Sequence, residues 1–404
     1  MITWALLCAA AAGLLACTVF LLLVMVASWR HLRQPGFPPS GSWPDVTMLK
    51  PLHGMEPNLE ANLESFFAQD YPHFEIIFGA RDPADPALEV VRKLHKKYPG
   101  VKAKIVTSGP PDRPNAKICS LEKMYAEAST DYLVISDSDV HVSGSYLREV
   151  VAPLLDRRIG LVTCLYRGVP TGGLWSGLEG LGMSVEMTSG VVVANMLEEM
   201  RFALGPTMAV RRDALEKAMG VSALADYCAD DYLLGKRVFE AGYKVILSKY
   251  VIDHVVINRD FSQSLQHQIR WMKSTRFSRP AGHIGSGLTF AMPFGLFGAA
   301  IALLTGHVLL AVGFLGAAVA NRMALAVLAG WFVVRDRRAL TECWLYPVRD
   351  FAGFCYWCAS FFGNTIVWRN ETYQLEQDGK MVRVGGPSTQ EKSPSGPVTV
   401  DNLA

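Results

Sequence analysis

A hydrophobic run, Tyr132-Leu133-Val134-Ile135-Ser136, stops abruptly at Asp137-Ser138-Asp139. An apolar run of that length reads as a strand buried on both faces, which places it in an α/β sheet. Sheets of that class open onto a ligand crevice at the carboxyl ends of their strands. Two carboxylates one residue apart at that edge cost free energy unless a proton or a cation neutralises them. Mg²⁺ or Mn²⁺ carrying a diphosphate fits, because hard cations take carboxylate and phosphate oxygens together. An acidic turn after a strand has the same spelling, so the pair needs support from the rest of the chain.

The 404 residues have room for one large globular domain and membrane segments, and half of them are hydrophobic. The formal net charge of +2 names no partner, and no nucleic acid is expected. Ile2 to Ser28 carries no formal charge over 27 residues, enough to cross a bilayer core of roughly 30 Å. It lacks a basic n-region, and Arg30, His31 and Arg33 follow it. The expectation is a retained anchor, residues 1–33, leaving the membrane on the cytoplasmic side. A second apolar block, Ile284 to Val334, has Arg322 as its only formal charge and reads as two helices broken near Thr305-Gly306-His307. Arg335, Arg337 and Arg338 then return the chain to the cytoplasm. Cys343 to Trp368 is a poorer stretch, because Arg349 and Asp350 are costly in lipid. It reads as a crossing, a re-entrant helix or an interfacial helix, so the membrane region 283–368 holds two or three helices.

Residues 34–260 read as a cytosolic domain. Strands are expected at Pro44–Leu49, His73–Gly79 and Ala103–Val106, and helices at Asn58–Phe67, Pro86–Tyr98 and Ala116–Ala128. Asn58 is the expected cap of the first helix. This alternation predicts a mainly parallel sheet covered by helices. Lys50, Asp82 and the Asp137/Asp139 pair then all fall at strand ends. Neither GxGxxG nor GxxxxGK[ST] occurs, which disfavours a Rossmann dinucleotide site and a P-loop. Cys8, Cys17, Cys355 and Cys358 lie in apolar segments, and disulfides are not expected on a cytoplasmic face. The tail, residues 369–404, is rich in Ser, Pro and Gly after Gly385 and reads as disordered there.

Two further clusters carry chemistry. Asp230-Asp231 precedes a helical stretch, Leu233 to Glu240, where acids also simply favour a helix N-terminus. His267-Gln268-Ile269-Arg270-Trp271 sits in an expected helix, Phe261 to Ser278, at the head of an interfacial segment, 261–282. His267, Arg270 and Trp271 fall at i, i+3 and i+4 and share one face. They serve either as an interfacial anchor or as a clamp on a diphosphate.

The ordered set Asp82, Asp137-Ser138-Asp139, Asp230-Asp231 and His267-Gln268-Ile269-Arg270-Trp271 resembles the D, D, D, (Q/R)xxRW signature of membrane-bound GT-A glycosyltransferases. More narrowly it resembles the ceramide glucosyltransferase family, glycosyltransferase family 21, including its bacterial hopanoid-glycosylating branch. Leu49-Lys50-Pro51-Leu52-His53-Gly54, Gln69-Asp70-Tyr71-Pro72, Asn115-Ala116-Lys117-Ile118 and Thr365-Ile366-Val367-Trp368-Arg369 extend the likeness over roughly residues 1 to 375.

That resemblance implies a cytosolic GT-A domain, a divalent metal (Mg²⁺ or Mn²⁺) and a UDP-sugar donor. Lys50, Pro51 and Leu52 would border the base, and Asp82 would meet the uridine. Lys117 would hold the nucleotide or its phosphates. Asp137, Ser138 and Asp139 would bind donor and metal, with Asp139 the metal ligand. Asp231 would be the general base, beside Asp230 where the family usually has Glu. Arg270 and Trp271 would hold the diphosphate, and His267 stands where Gln or Arg is usual. The implied reaction is inverting transfer, of glucose first, to the hydroxyl of ceramide in the lipid bilayer. UDP-N-acetylglucosamine transfer to a hopanoid is the alternative, and a non-catalytic membrane scaffold a distant one. A processive polysaccharide synthase would need more membrane helices, and polyprenyl-phosphate enzymes usually lack the Arg-Trp motif. The acceptor wall is expected between Tyr166 and Phe202, around Trp175, Met183, Met187 and Met196. The expected location is the bacterial inner membrane, or the Golgi membrane in a eukaryote, and no oligomeric state follows.

Overall fold

The computed structural model describes residues 1–37, 41–258, 260–368, 371–384 and 399–403. Arg369 and the Ser/Pro/Gly-rich stretch 385–398 lie outside the described residues. The chain forms two compact units. One contains Pro35–Leu165, Met200–Val255 and Val367–Ala404, and the other Met1–Gln34, Tyr166–Glu199 and Val256–Ile366. Tyr166–Glu199, read from sequence as part of the 34–260 domain, thus clusters with the N-terminal helix and the later apolar helices.

The strands are β1 (Val46–Pro51), β2 (Phe74–Ala80), β3 (Lys102–Thr107), β4 (Tyr132–Ile135), β5 (Val140–His141), β6 (Ile159–Pro170), β7 (Met208–Arg211), β8 (Lys244–Val256), β9 (Thr365–Trp368), β10 (Glu371–Leu375), β11 (Met381–Arg383) and β12 (Thr399–Leu403). Nine of them form one sheet, in the order β12-β3-β2-β1-β4-β7-β6-β8-β5. The parallel sheet expected from the first half of the domain is present as β3-β2-β1-β4. The second half adds antiparallel pairs, β4 with β7, β7 with β6 and β8 with β5, so the whole sheet is mixed. Val46 to Lys50 is buried at every position, which is why β1 does not alternate in sequence. Leu49 lies opposite both Ile77 and Ile135. This parallel register brings the residues after β1, β2 and β4 to one sheet edge.

Element boundaries differ from the sequence expectations by no more than three residues, and the Phe261–Ser278 helix matches at both ends. Two differences are physical. Asn58 does not cap the Leu59–Phe67 helix: it is left-handed (φ 61°) and its side chain makes no cap bond. The side chain that does cap is Asn115, whose Oδ1 accepts from Ile118 N at 3.2 Å. The chain end also departs from expectation, because Thr399–Leu403 pairs antiparallel with β3 instead of being disordered. Its pairing covers what would otherwise be an open sheet edge.

In the other unit, Ile2–Arg33 and Val308–Val333 are each long and apolar enough to cross a membrane. Pro280–Thr289 and Ala291–Leu304 pass that test only together and are bent by 47°. The break at Thr305–His307 falls where the sequence predicts it. Cys343–Trp368 yields a 15-residue helix, Tyr346–Ser360, short of the roughly 20 residues a crossing needs. Cys355 and Cys358 stand three apart on it as free thiols. The N-terminal helix packs intimately: a Cβ on Gly13 would lie 2.2 Å from the Phe294 ring. Leu7 and Ala10 cluster with Ala299, Ala302, Ala311 and Phe314. Small residues at such contacts let apolar helices approach closely where lipid gives no hydrophobic drive.

The charges that look costly in this region are paired within the protein. Arg322, 1% exposed, donates from Nη1 to Asp350 Oδ1 at 3.0 Å and to Thr289 O at 2.7 Å. Asp350 Oδ2 accepts from Met292 N at 2.9 Å, at the start of the Ala291–Leu304 helix. Arg349 pairs with Glu186 at 3.0 Å and donates to Gln268 Oε1 at 2.8 Å. Breaking a buried pair strands one charge, whereas replacing both with apolar groups removes the penalty. Asp350→Ala or Arg322→Ala is therefore expected to destabilise the protein in detergent by about 3–5 kcal/mol, and the double variant Arg322→Met/Asp350→Leu to recover part of it. Thermal unfolding of the three variants checks this.

Candidate active site

The run from β4 ends in a set of charges held by two lysines. Lys50, the fifth residue of β1, is fully buried. Its Nζ donates to Asp137 O at 2.5 Å and Ser136 Oγ at 3.3 Å, and lies 3.5 Å from the centre of the Phe66 ring. Burial pushes its amine down to about 7, against the partial opposition of Asp137, Asp139 and Glu56. Lys117, in the first turn of the Ala116–Glu127 helix, lies 2.6 Å from Asp137 Oδ1 and 3.8 Å from Asp230 Oδ2. Burial disfavours its charge too, but Asp137 and Asp230 outweigh that and hold its amine above the ordinary lysine value.

Asp230 and Asp231 open the Asp230–Glu240 helix, three residues earlier than expected. Asp231 Oδ2 accepts from Gly205 N at 2.7 Å and Oδ1 from Tyr232 N at 2.7 Å. Burial, then the neighbouring charge of Asp230, pushes the Asp231 carboxyl up to about 6. Asp230 accepts from Asn115 Nδ2 at 3.2 Å, and burial raises its carboxyl as well. A Cβ at Gly205 would lie 3.1 Å from Asp231 Oδ2 and 3.8 Å from Asp137 Oδ2, so both carboxylates face this glycine.

Asp139 is arranged differently. Its Oδ1 is buried without a hydrogen-bond partner, and Oδ2 lies 3.5 Å from His254 Nε2. A buried carboxylate oxygen with no donor suits a cation ligand. Among the described residues no group of three or more His, Cys, Asp or Glu side chains is arranged to hold a metal. One carboxylate, with phosphate oxygens and water completing the shell, is nonetheless enough for Mg²⁺. Ser138 is buried and donates to Glu56 Oε2 at 2.7 Å. Leu52 is buried and Pro51 half-buried at the end of β1. Asp82 is exposed beyond β2 and accepts from Ala84 N at 2.9 Å, a turn-closing bond.

The aromatic-basic motif lies in the other unit, on the expected Phe261–Ser278 helix, capped by Asp260 through Gln263 N at 2.9 Å. His267 Nδ1 lies 2.6 Å from Oε1 of Glu179, whose side chain is wholly buried. Glu179 also accepts from Ser264 Oγ at 3.0 Å and from Asn258 Nδ2. Burial pushes Glu179 up, but bonds from His267, Ser264 and Gln268 together with the His267 charge hold it below the ordinary glutamate value. The His267 ring tilts against Trp271 at 4.3 Å. Arg270 and Trp271 are half-buried. Lys273 and Arg276 donate to backbone carbonyls, of Thr365 at 2.9 Å and of Ser360 and Gly363 at 2.5 and 3.0 Å. In the Tyr166–Phe202 segment, Met183 is buried while Trp175, Met187 and Met196 are half-buried.

Residues 7–381 match the family model described as glycosyl transferase family 21. The chain belongs to that family. Ceramide glucosyltransferase 1 of Caenorhabditis elegans is 28% identical over 213 residues, 52% of this chain and 46% of its own. Ceramide glucosyltransferase of Komagataella phaffii is 43% identical over 112 residues, 26% of this chain and 22% of its own. The matches thus span about half the length, or less, of these curated relatives. A mannosyltransferase from Pyrobaculum calidifontis, solved in complex with GDP-Man and Mn²⁺, shares the fold with a TM-score of 0.51 at 20% identity, over 87% of this chain and 99% of its own.

Sequence reasoning singled out Lys117, Asp137, Asp230 and Asp231, and the structure brings these four together. It missed His254, Glu56 and Glu179. Glu179 had a signal, a lone acid inside Gly-Leu-rich Leu174–Gly182. His254 had none, because its proximity to Asp139 comes from the pairing of Val140 with His254 across β5 and β8.

With Asp231 as the general base, the role the family resemblance implies, activity should fall as pH drops through about 6, because the carboxyl takes up its proton there and a base works only when ionised. Asp230→Asn removes the charge that helps hold Asp231 up and should move the acid limb of kcat/KM to lower pH, while Asp231→Asn should abolish the limb. An acid limb unchanged in Asp230→Asn would count against this assignment.

Proposed function

We propose that this family 21 protein transfers a sugar, glucose, from a UDP-sugar to the hydroxyl of a membrane lipid, ceramide, with inversion at the anomeric carbon. The supporting observation is Asp231: a carboxylate fixed by two backbone N–H groups, raised to about 6, and facing Asp137 across Gly205. An alcohol is a poor nucleophile until its proton leaves. Asp231 Oδ takes the acceptor O–H proton as the oxygen attacks the anomeric carbon, and the bond from that carbon to the UDP oxygen breaks. Such a base contributes roughly 10²–10⁴-fold.

Negative charge grows on the leaving diphosphate. Lys117 is assigned to that diphosphate, where a fixed cation stabilises the growing charge. Asp139 would hold the divalent ion, which when bound supplies positive charge to the diphosphate. Lys50 fixes the Asp137 carbonyl and so the backbone that carries both acids. Its role is positioning, since its amine is fully buried. The acceptor has long apolar tails, and exposing them costs about 0.8 kcal/mol per CH₂. The apolar helices serve this need by keeping the enzyme in the bilayer, with the catalytic residues on the cytoplasmic side.

Purified full-length protein in detergent, with Mg²⁺ or Mn²⁺, should form glucosylceramide from UDP-glucose and ceramide. Asp231→Ala should lose at least 10²-fold in kcat, and Asp139→Ala should lose metal dependence along with activity. Product only from UDP-N-acetylglucosamine and bacteriohopanetetrol would keep the mechanism and change both substrates. No UDP release with any pair, in wild type or variant alike, would leave the scaffold reading.

A further inference from the structure

Beyond the sugar-transfer chemistry, four arginines line one cavity of about 440 Å³. Arg167 comes from the end of β6, and Arg335, Arg337 and Arg338 from the turn after the Val308–Val333 helix. Gly168 and Asp336 lie in the same lining. A run of arginines after a membrane helix is ordinary topology, and orientation needs only the charges. It needs neither a cavity nor a second segment of chain.

Here the surroundings are built. Asp336 is buried and accepts from Ser184 Oγ at 2.7 Å and from Arg338 Nη2 at 2.9 Å. Arg338 Nη2 also donates to Gly168 O at 2.5 Å, tying the turn to the β6 segment. Gly168 in turn is pressed on the Gly173–Gly182 helix: a Cβ there would lie 2.4 Å from Gly180 Cα. Arg167 Nη1 donates to Arg335 O at 3.3 Å, joining the two segments again. Arg335 itself is held left-handed (φ 60°), a conformation that costs a non-glycine residue free energy and persists only where its surroundings impose it.

The charges do not cancel. Asp336 is the one acid in the lining and is engaged by Arg338. The exposed Arg335 and Arg337 side chains have no partner among the described residues, and Arg338 Nη1 is buried without an acceptor. Guanidinium groups pair best with planar or tetrahedral oxyanions, phosphate above all. A cavity of this size takes a substituted phosphate, larger than a lone ion. The turn follows directly on a helix long enough to cross a membrane, which is the level at which lipid headgroups sit.

We propose that this cavity binds the phosphate of an anionic phospholipid headgroup. The shared chemistry is a phosphate ester, which a lipid or a soluble phosphate could bring, and the test separates them. Full-length protein is reconstituted in nanodiscs of phosphatidylcholine with a minor fraction of phosphatidylglycerol, and co-retained lipid is read by native mass spectrometry. Phosphatidylglycerol should be enriched on the wild type. Arg335→Gln and Arg337→Gln, both exposed and outside the catalytic set, should each lower that enrichment about fivefold, the weight of one basic residue at an anionic surface. Arg30→Gln, at a basic residue in the last turn of the other long helix, should leave it unchanged and controls for general surface charge. Equal enrichment in the double variant Arg335→Gln/Arg337→Gln, or an equal loss in Arg30→Gln, overturns the site. Millimolar inorganic phosphate should fail to displace phosphatidylglycerol; displacement would overturn the lipid assignment in favour of a soluble phosphate.

Discussion

Lys117 holds the candidate site together. Its amine, 2.6 Å from Asp137 and 3.8 Å from Asp230, is the cation around which these carboxylates gather at one sheet edge. Lys117 opposes the burial that raises the Asp230 carboxyl. Lys50 makes the contrast clear. It is more deeply buried and donates to a carbonyl and a hydroxyl, and its amine falls to about 7. One lysine is therefore locked in its charged form by acids, while the other titrates near neutrality. A phosphate arriving beside Asp137 would meet a charge already in place at Lys117, with no proton to find.

The second unit solves a related problem with the same means. Glu179, Arg349, Arg322 and Asp350 are ionisable groups packed among apolar helices, and each is matched by a donor or acceptor. His267 belongs to this pattern. Where relatives of this signature carry Gln or Arg, this chain carries an imidazole against a buried carboxylate, and that pairing sets the ring beside Trp271. The motif face read from sequence as anchor or clamp is thus also a structural brace.

Much of the first unit was legible because local signals agreed with one another. The alternation of strands and helices from β1 to β4 gave the parallel half of the sheet, and the abrupt end of an apolar run gave the acidic edge. The antiparallel half was less legible, because β6 and β8 are long strands that mix apolar with polar and charged residues, and their partners are set by tertiary packing. Lys50 looked like a ligand-facing residue from its place at a strand end, yet its pleat turns it inward onto Phe66. Asp82 also follows a strand, and its Oδ1 accepts from Ala84 N within its own turn. Position along a strand predicted the edge but not the direction of each side chain. Charges in the apolar helices were misleading for the opposite reason: a single sequence shows the cost of Arg322 and Asp350 but not that they meet.

The contact between Gly13 and the Phe294 ring changes what the first helix is. A tether is interchangeable: any apolar segment of the right length will keep a domain at a surface. A helix whose missing side chain is filled by an aromatic ring from another part of the fold is a component, with a register and a face. Trimming it to obtain a water-soluble enzyme would uncover that ring, and exchanging it for a generic membrane segment would put a side chain where the ring now sits.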